Sequence, residues 1–291
     1  MPLASLLKDP PPTHAFELSE EGLAFARISE PKLVEFRPFQ SGMLAVSPVN
    51  TNIQQPHVLL EHIQSLSSAA GNRKRRAALV VPDYCARVAV LDFDAFPSDP
   101  QEQQALLRFR MKKSVPFDVD SAMISFAQQS RGADHQVEVL TAVMASDIVE
   151  QYEAPFRAAG FHPGLVTTSS LAALNLIEPD GIALLVKLAG RTLTVLVLDG
   201  SAIKLARCVE MDESSAEGIE SVLHPTIAYV EDELNARPKH IWLAGFGKET
   251  KGWADRWRDE WDVDVQPLQS RFATPGSDNA GLLGYLESVV D

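Results

Sequence analysis

The residues of this sequence whose types could do chemistry are seven histidines, two cysteines, the serine pair Ser169-Ser170 and two basic clusters. His57 and His62 stand five apart, a spacing that does not put both rings on one helical face, so no metal site is expected. Cys85 and Cys208 sit in apolar alternating stretches and read as small buried thiols of a reducing compartment. Ser169-Ser170 falls at a helix start, where a serine ordinarily caps, and no Gly-x-Ser-x-Gly elbow accompanies it. The run Arg73-Lys74-Arg75-Arg76 precedes a strand and reads as a solvated loop. Arg108, Arg110, Lys112 and Lys113 close a helix, where positive charge meets the negative end of the helix dipole. Trp253, Trp257 and Trp261 recur every four residues and read as one packed stripe.

The composition is that of a globular protein large enough for two linked cores, with 45% hydrophobic and 22% charged residues. A net charge of −13 repels polyanions, which argues against general affinity for nucleic acid or anionic membrane. No stretch approaches about 18 uninterrupted apolar residues, and the N-terminal run is too short for a signal peptide. A cytoplasmic location with only indirect membrane contact is therefore expected.

Residues 1–13 end in three prolines and read as an extended leader. AFEL and LAFARI then form a hairpin-like opening around Ser19-Glu20-Glu21-Gly22. A helix over about 57–68, the strands AALVVP and RVAVLDF around Asp83-Tyr84, and a helix from Asp99-Pro100 to about Lys113 follow. That helix has a capping aspartate and a proline at its first position, with Leu106 and Phe109 as its apolar stripe. Next come the strands MISFAQQ and QVEVLTAVM and a helix from Ser146 to Gly160, which Pro155 should kink. The second half opens with ALLVKLAGRTLTVLVLDGSAIKLARCVEM, read as two long strands joined at Asp199-Gly200, a strong hairpin signal. Pro225 then starts a helix, HIWLAGFG is a buried strand running into a glycine turn, and a helix, a strand and a terminal helix over Ala280–Val290 complete the chain. Each half opens with a hairpin and proceeds to helices.

The stretch VVPDYCARVAVLDFDAFPSDPQEQQALLRFRMKKSVPFDVDSAMISF, residues 80–126, resembles the corresponding region of the PilM family, the actin-like proteins of type IV pilus assembly. Order and spacing carry the resemblance: a strand ending at a proline turn, a second strand, an acidic helix start, and the pair Pro116-Phe117 before the next strand. It implies an α/β, actin-like fold of two duplicated domains with a small inserted subdomain; only Asp212 to His224 stand where the family carries a helical lid on the second domain, so a reduced lid is expected. The expected limits are a leader over 1–13, a first domain over 14–180 with its insert at about 96–163, and a second domain over 181–291 whose last helix docks back.

Such a fold would bind ATP and magnesium between its domains through two phosphate turns, a carboxylate on each first strand and a glycine-rich adenosine loop. The first turn corresponds to Glu17-Leu18-Ser19-Glu20-Glu21, with Ala24 in place of the family's lysine. At about 4 Å and an effective dielectric near 20, each added carboxylate opposes a phosphate by roughly 4 kcal/mol. In the second, which the resemblance locates at the Asp199-Gly200 hairpin, Lys187 replaces an aspartate and Ala189 a glycine, with Gly190 and Arg191 following; a lysine cannot orient a metal's water shell. The adenosine loop reads Gly245-Phe246-Gly247, with a bulky side chain where nucleotide would approach. The expectation is a decayed site with no cofactor and no catalytic residue. In the family a PilN-like membrane protein's cytoplasmic tail lies between the first domain and its insert, so Arg108, Pro116 and Phe117 become partner-contact candidates and recruitment to the inner membrane is implied. The competing readings are an active ATPase or sugar kinase using ATP-magnesium, the cytoplasmic part of a type II secretion protein, and an unrelated α/β enzyme; self-association stays open.

Overall fold

The structure, a computed structural model, describes residues 10–66, 75–131, 136–178, 180–211 and 215–290. The chain runs through β1 (His14–Leu18), β2 (Gly22–Arg27), β3 (Glu30–Pro38), α1 (Pro56–Leu66), β4 (Arg75–Val81), β5 (Arg87–Phe93), α2 (Pro100–Met111), β6 (Met123–Arg131) and β7 (Val137–Met144). It continues through α3 (Ser146–Ala158), β8 (Phe161–Thr168), α4 (Ser169–Ala173), β9 (Ile182–Ala189), β10 (Thr192–Asp199), β11 (Ala202–Glu210), α5 (Ala216–Glu233), β12 (His240–Ala244), α6 (Thr250–Trp261), β13 (Asp264–Pro267) and α7 (Ala280–Val289).

These strands make two five-stranded sheets of one topology, ordered β3-β2-β1-β4-β8 and β11-β10-β9-β12-β13. In each, an antiparallel meander supplies the first three strands and two parallel strands extend it from the meander's opening strand. The alternation of side chains along the first sheet decides what covers each face. Phe16, Leu18, Leu23, Phe25 and Leu79 point to one face, where α1 and α3 pack with Tyr152 and Phe156. Phe16 stacks on Phe25 at 4.7 Å between centroids and meets Phe156 and Phe161 edge-on. Ala15, Ala24, Ala26 and Ala78 point to the other face, and their small size lets α7 approach with Leu282, Leu283 and Leu286. The second sheet buries Leu184, Val186, Val195 and Ile241 against α5 and α6. There Trp257 is fully buried, with Trp253 at 5.0 Å and Trp261 at 5.6 Å, so the tryptophan stripe is core packing.

Several readings change. The stretch expected as two strands is three, β9 to β11: Gly190, at φ +57°, turns the chain midway, so Asp199-Gly200 joins only β10 to β11. Pro225 lies inside α5, which begins nine residues earlier where Ser215 Oγ accepts from the Gly218 N–H at 3.2 Å. Between β11 and α5 there is consequently less chain than expected for a lid. The three-stranded antiparallel sheet β5-β7-β6 spans 87–144, whereas α3, within the expected insert, packs into the first core, and β8 joins the first sheet. On α2 the buried stripe is Leu107 and Met111, four apart, and Phe109 is 75% exposed. Neither β3 nor β8 stood out in the sequence; β3 is a part-exposed edge, and β8 contains Pro163 and Gly164 with a register shift opposite Ala77 and Ala78.

Candidate functional site

The duplicated sheets bring the ends of β1 and β9 face to face, and each carries one buried charged residue there. Glu17, on β1, is 1% exposed, and Lys187, on β9, is 2% exposed. Between them sits Asp83, at the start of a single 3-10 turn that Pro82 opens after β4. Lys187 Nζ lies 3.4 Å from Asp83 Oδ2, an ion pair that joins the second domain to the first. Asp83 also accepts from the Ser170 N–H and the Ser170 hydroxyl, both at 2.7 Å. Glu17 accepts from the Ser169 hydroxyl and, at 2.6 Å, from the Leu282 N–H in the first turn of α7. The serine pair therefore serves the two carboxylates instead of capping: no side-chain cap bond is made at the start of α4.

Two carboxylates and one ammonium in a dry space cannot all be comfortably charged. Burial dominates at Glu17 and raises its carboxyl from the ordinary 4.5 to about 7; Lys187 and the two hydrogen bonds oppose this, and Asp83 reinforces it. Near neutral pH Glu17 is then a partly protonated carboxyl, with Ser169, Lys187 and Asp83 as its charged and polar neighbours.

The side of this network that faces the β1–β2 turn is nearly full. Its cavity measures about 30 Å³, and Ser19, Glu20, Glu21, Ala189, Gly190 and Ser277 line the rest of it. Ser19 Oγ accepts from the Gly22 N–H at 3.1 Å and closes its own turn. Glu20 reaches across to the β9–β10 turn: a Cβ on Gly190 would fall 2.8 Å from Glu20 Oε2. Glu21 accepts from the Ser277 hydroxyl at 3.3 Å, so the chain between β13 and α7 crosses the mouth. The turn that meets Glu20 is the one at Gly190. The Asp199-Gly200 turn, expected to correspond to a phosphate loop, lies at the far end of β10, because an antiparallel strand reverses direction at each turn.

Of the adenosine-loop candidates, none lines this cavity. Phe246 does not stand in the cleft: it is 6% exposed and packs into the second core, its ring 5.9 Å from Trp257 and edge-on to it. Gly245, at φ +82°, carries the steric restriction instead, since a Cβ there would overlap the Leu188 carbonyl oxygen at 1.8 Å. Gly247 opens a 3-10 turn leading into α6.

The partner-contact candidates lie apart from this network, on the insert. Arg108 Nη1 donates to the Val119 carbonyl and, at 3.1 Å, to the Ala122 carbonyl, so its guanidinium holds the loop before β6. Pro116 and Phe117 line a separate cavity of about 180 Å³. A third, of about 430 Å³, runs between the outer edges of β6 and β8, lined by Met123, Ile124, Met144, Val149, Leu165 and Val166. Met123 and Leu165 are 58% and 38% exposed.

Elsewhere the sequence candidates are structural. Both cysteines are free thiols, raised by burial to about 12. No group of metal-ligating side chains and no helix able to cross a membrane occurs among the described residues. Arg73 and Lys74 lie outside the described residues, while Arg75 donates to the Ala159 carbonyl at 2.6 Å and stacks over Phe161 at 4.1 Å, which is not a solvated loop. Asp83 was missed because an aspartate after Val-Val-Pro reads as a turn former; the signal was a carboxylate directly behind a wholly apolar strand.

No protein-family model matches the sequence, and no curated protein matches it. Among solved structures, a PilM–PilN type IV pilus biogenesis complex has a chain that superposes with a TM-score of 0.72 at 18% identity, over 97% of this chain and 100% of that one. A Bacteroides thetaiotaomicron protein with an actin-like ATPase fold and unknown function gives 0.56 at 11% identity, over 94% and 95%. The cytoplasmic domain of EpsL, an inner membrane component of the Vibrio cholerae type II secretion system, gives 0.49 at 12% identity, over 95% and 94%. At their identities the first two likenesses are ones of fold, and they agree with the repeated five-strand topology: the chain has the actin-like fold.

Proposed function

We propose that this chain is a non-catalytic scaffold of a pilus or secretion assembly platform, working on the cytoplasmic face of the inner membrane by holding a short segment of a PilN-like membrane protein. The observation that carries the reading is the roughly 30 Å³ left where an actin-type nucleotide would put its phosphates. Lys187 takes the place of a metal-orienting carboxylate and is itself consumed by Asp83. Glu20 and Glu21 put negative charge on the turn that would have to cradle phosphate; Glu20 lies close against Gly190, and Glu21 accepts from the Ser277 hydroxyl.

The partner's place is the groove between β6 and β8. Two unpaired strand edges bound it, so an extended peptide could add backbone hydrogen bonds, and exposed Met123 and Leu165 offer apolar contact. Pro116 and Phe117 stand at the adjoining cavity, which shares Ala86, Thr168 and Leu171 with the groove. Arg108 contributes from behind, by fixing the loop that leads into β6.

The test is capture of synthetic N-terminal cytoplasmic tails of inner-membrane assembly proteins by the full chain, measured by calorimetry. One tail should bind, and Met123→Glu with Leu165→Glu should weaken it at least tenfold. No tail binding, or binding indifferent to both changes, would overturn the partner reading.

A further inference from the structure

The groove between β6 and β8 has the chain's own N-terminal run at one end. Pro12 is buried there: its carbonyl accepts from the Tyr285 hydroxyl at 2.7 Å, and a Cβ on Gly164 would meet its ring at 3.4 Å. Gly164 belongs to the groove wall that β8 supplies from Pro163 to Thr168. Pro10 and Pro11 are exposed, and each is followed by a proline, which keeps the backbone extended on leaving that point. Residues 1–9 lie outside the described residues and join the fold here.

Their sequence, MPLASLLKD, suits the groove. Met1, Leu3, Leu6 and Leu7 are its large side chains, and its two charges, Lys8 and Asp9, fall next to the prolines. The groove is apolar as well: Glu153 is the sole charged residue lining it, and Arg157 already engages that carboxylate. Met123 and Leu165 stand exposed on its two walls. Nine extended residues reach about 30 Å, whereas the β8 wall is about 17 Å long at roughly 3.3 Å per residue. A segment tethered at the groove's end is present at an effective concentration of about millimolar, which favours it over a free peptide of like sequence.

We propose that residues 1–9 occupy the β6–β8 groove of their own chain, entering at Gly164 and running antiparallel to β8, and that a partner segment must displace them. The displacement rests on the reading of this groove as the partner's place; the docking does not. Backbone pairing with the β8 edge and burial of Leu3, Leu6 and Leu7 hold the segment, so its release is the step that admits the partner.

The test places a nitroxide on Ala4→Cys in the full chain and follows the methionine methyl signals by NMR. Cys85 and Cys208, whose thiols burial raises to about 12, should stay unlabelled, which the parent chain treated alike verifies. The Met123 methyl signal, identified by its loss in Met123→Leu, should broaden beyond detection, while that of Met211, in the second core, should persist. Leu3→Glu, Leu6→Glu and Leu7→Glu together should restore the Met123 signal, with an unchanged unfolding transition. The same triple variant should tighten tail binding about tenfold, the gain when a groove free in about one chain in ten becomes free in all. Met123 broadening that is absent, that persists in the triple variant, or that disappears on dilution with unlabelled chain, the mark of a second copy's segment, would overturn the proposal. Tails that bind parent and triple variant alike would overturn it too. Broadening with no tail binding to either chain upholds the docked segment and overturns the partner reading instead, so the two fail separately.

Discussion

The two halves of the molecule repeat one sheet and place opposite charges at the corresponding point: Glu17 near the end of β1 and Lys187 near the end of β9. An actin-type ATPase needs carboxylates on both strands because a metal and its waters lie between them. Two carboxylates facing each other without a metal would repel, so an empty cleft favours staying open. With lysine on one side that repulsion is absent: Lys187 pairs with Asp83 across the two sheets, while Glu17 is held by Ser169 and the Leu282 N–H. The two halves thus differ at the repeated position in the sign of one buried group, and on the scaffold reading side chains join them there.

Removing the positive side of the comparison should have the largest effect. Lys187→Met leaves Asp83 buried without its counter-charge, and breaking a buried pair from one side costs about 3–5 kcal/mol. Denaturant unfolding should show that loss. A destabilisation below about 1 kcal/mol would mean the pair does not join the domains.

Glu17 sharpens the other side. Folding raises its carboxyl from 4.5 to about 7, so the folded chain holds a proton that the unfolded chain releases in that window. Stability should therefore fall as pH rises from 4.5 to about 7, by about 3 kcal/mol at 1.4 kcal/mol per pH unit. Glu17→Gln keeps the shape without the charge and should remove this share of the slope. Parallel profiles for the two proteins would contradict the placement of Glu17 in a dry joint.

The smallest effect is at the bridge. Ser170→Ala deletes the hydroxyl bond to Asp83 and leaves the backbone one, a loss of about 1.5 kcal/mol. A double-mutant cycle with Lys187→Met should show coupling, since both groups act on the same carboxylate.

What could be read in advance follows from range. The hairpin at Asp199-Gly200, the capped start of α2 at Asp99 and the apolar strand β4 are written in adjacent residues, and each occurs where the pattern put it. The third strand of the second meander was hidden because Gly190 makes its turn without the Asn-Gly or Asp-Gly signature. Edge strands β3 and β8 lack the continuous apolar run of a central strand, and β8 carries two strand-breaking residues. The charges at the repeated position were visible one by one, and their mismatch with an ATP site followed from comparison with the actin-like pattern. Their mutual satisfaction was not visible: Asp83 and Lys187 are 104 residues apart, and Glu17 meets Leu282 across 265. Phe246 was misplaced for a related reason, since its direction depends on the tryptophans of α6 behind it.

On the scaffold reading the Lys187–Asp83 pair stands where an actin-type nucleotide would lie. Titration of the full chain with a fluorescent ATP analogue and magnesium decides this: no saturable binding is expected up to millimolar analogue, with or without metal, and magnesium-dependent binding in the micromolar range would overturn the reading.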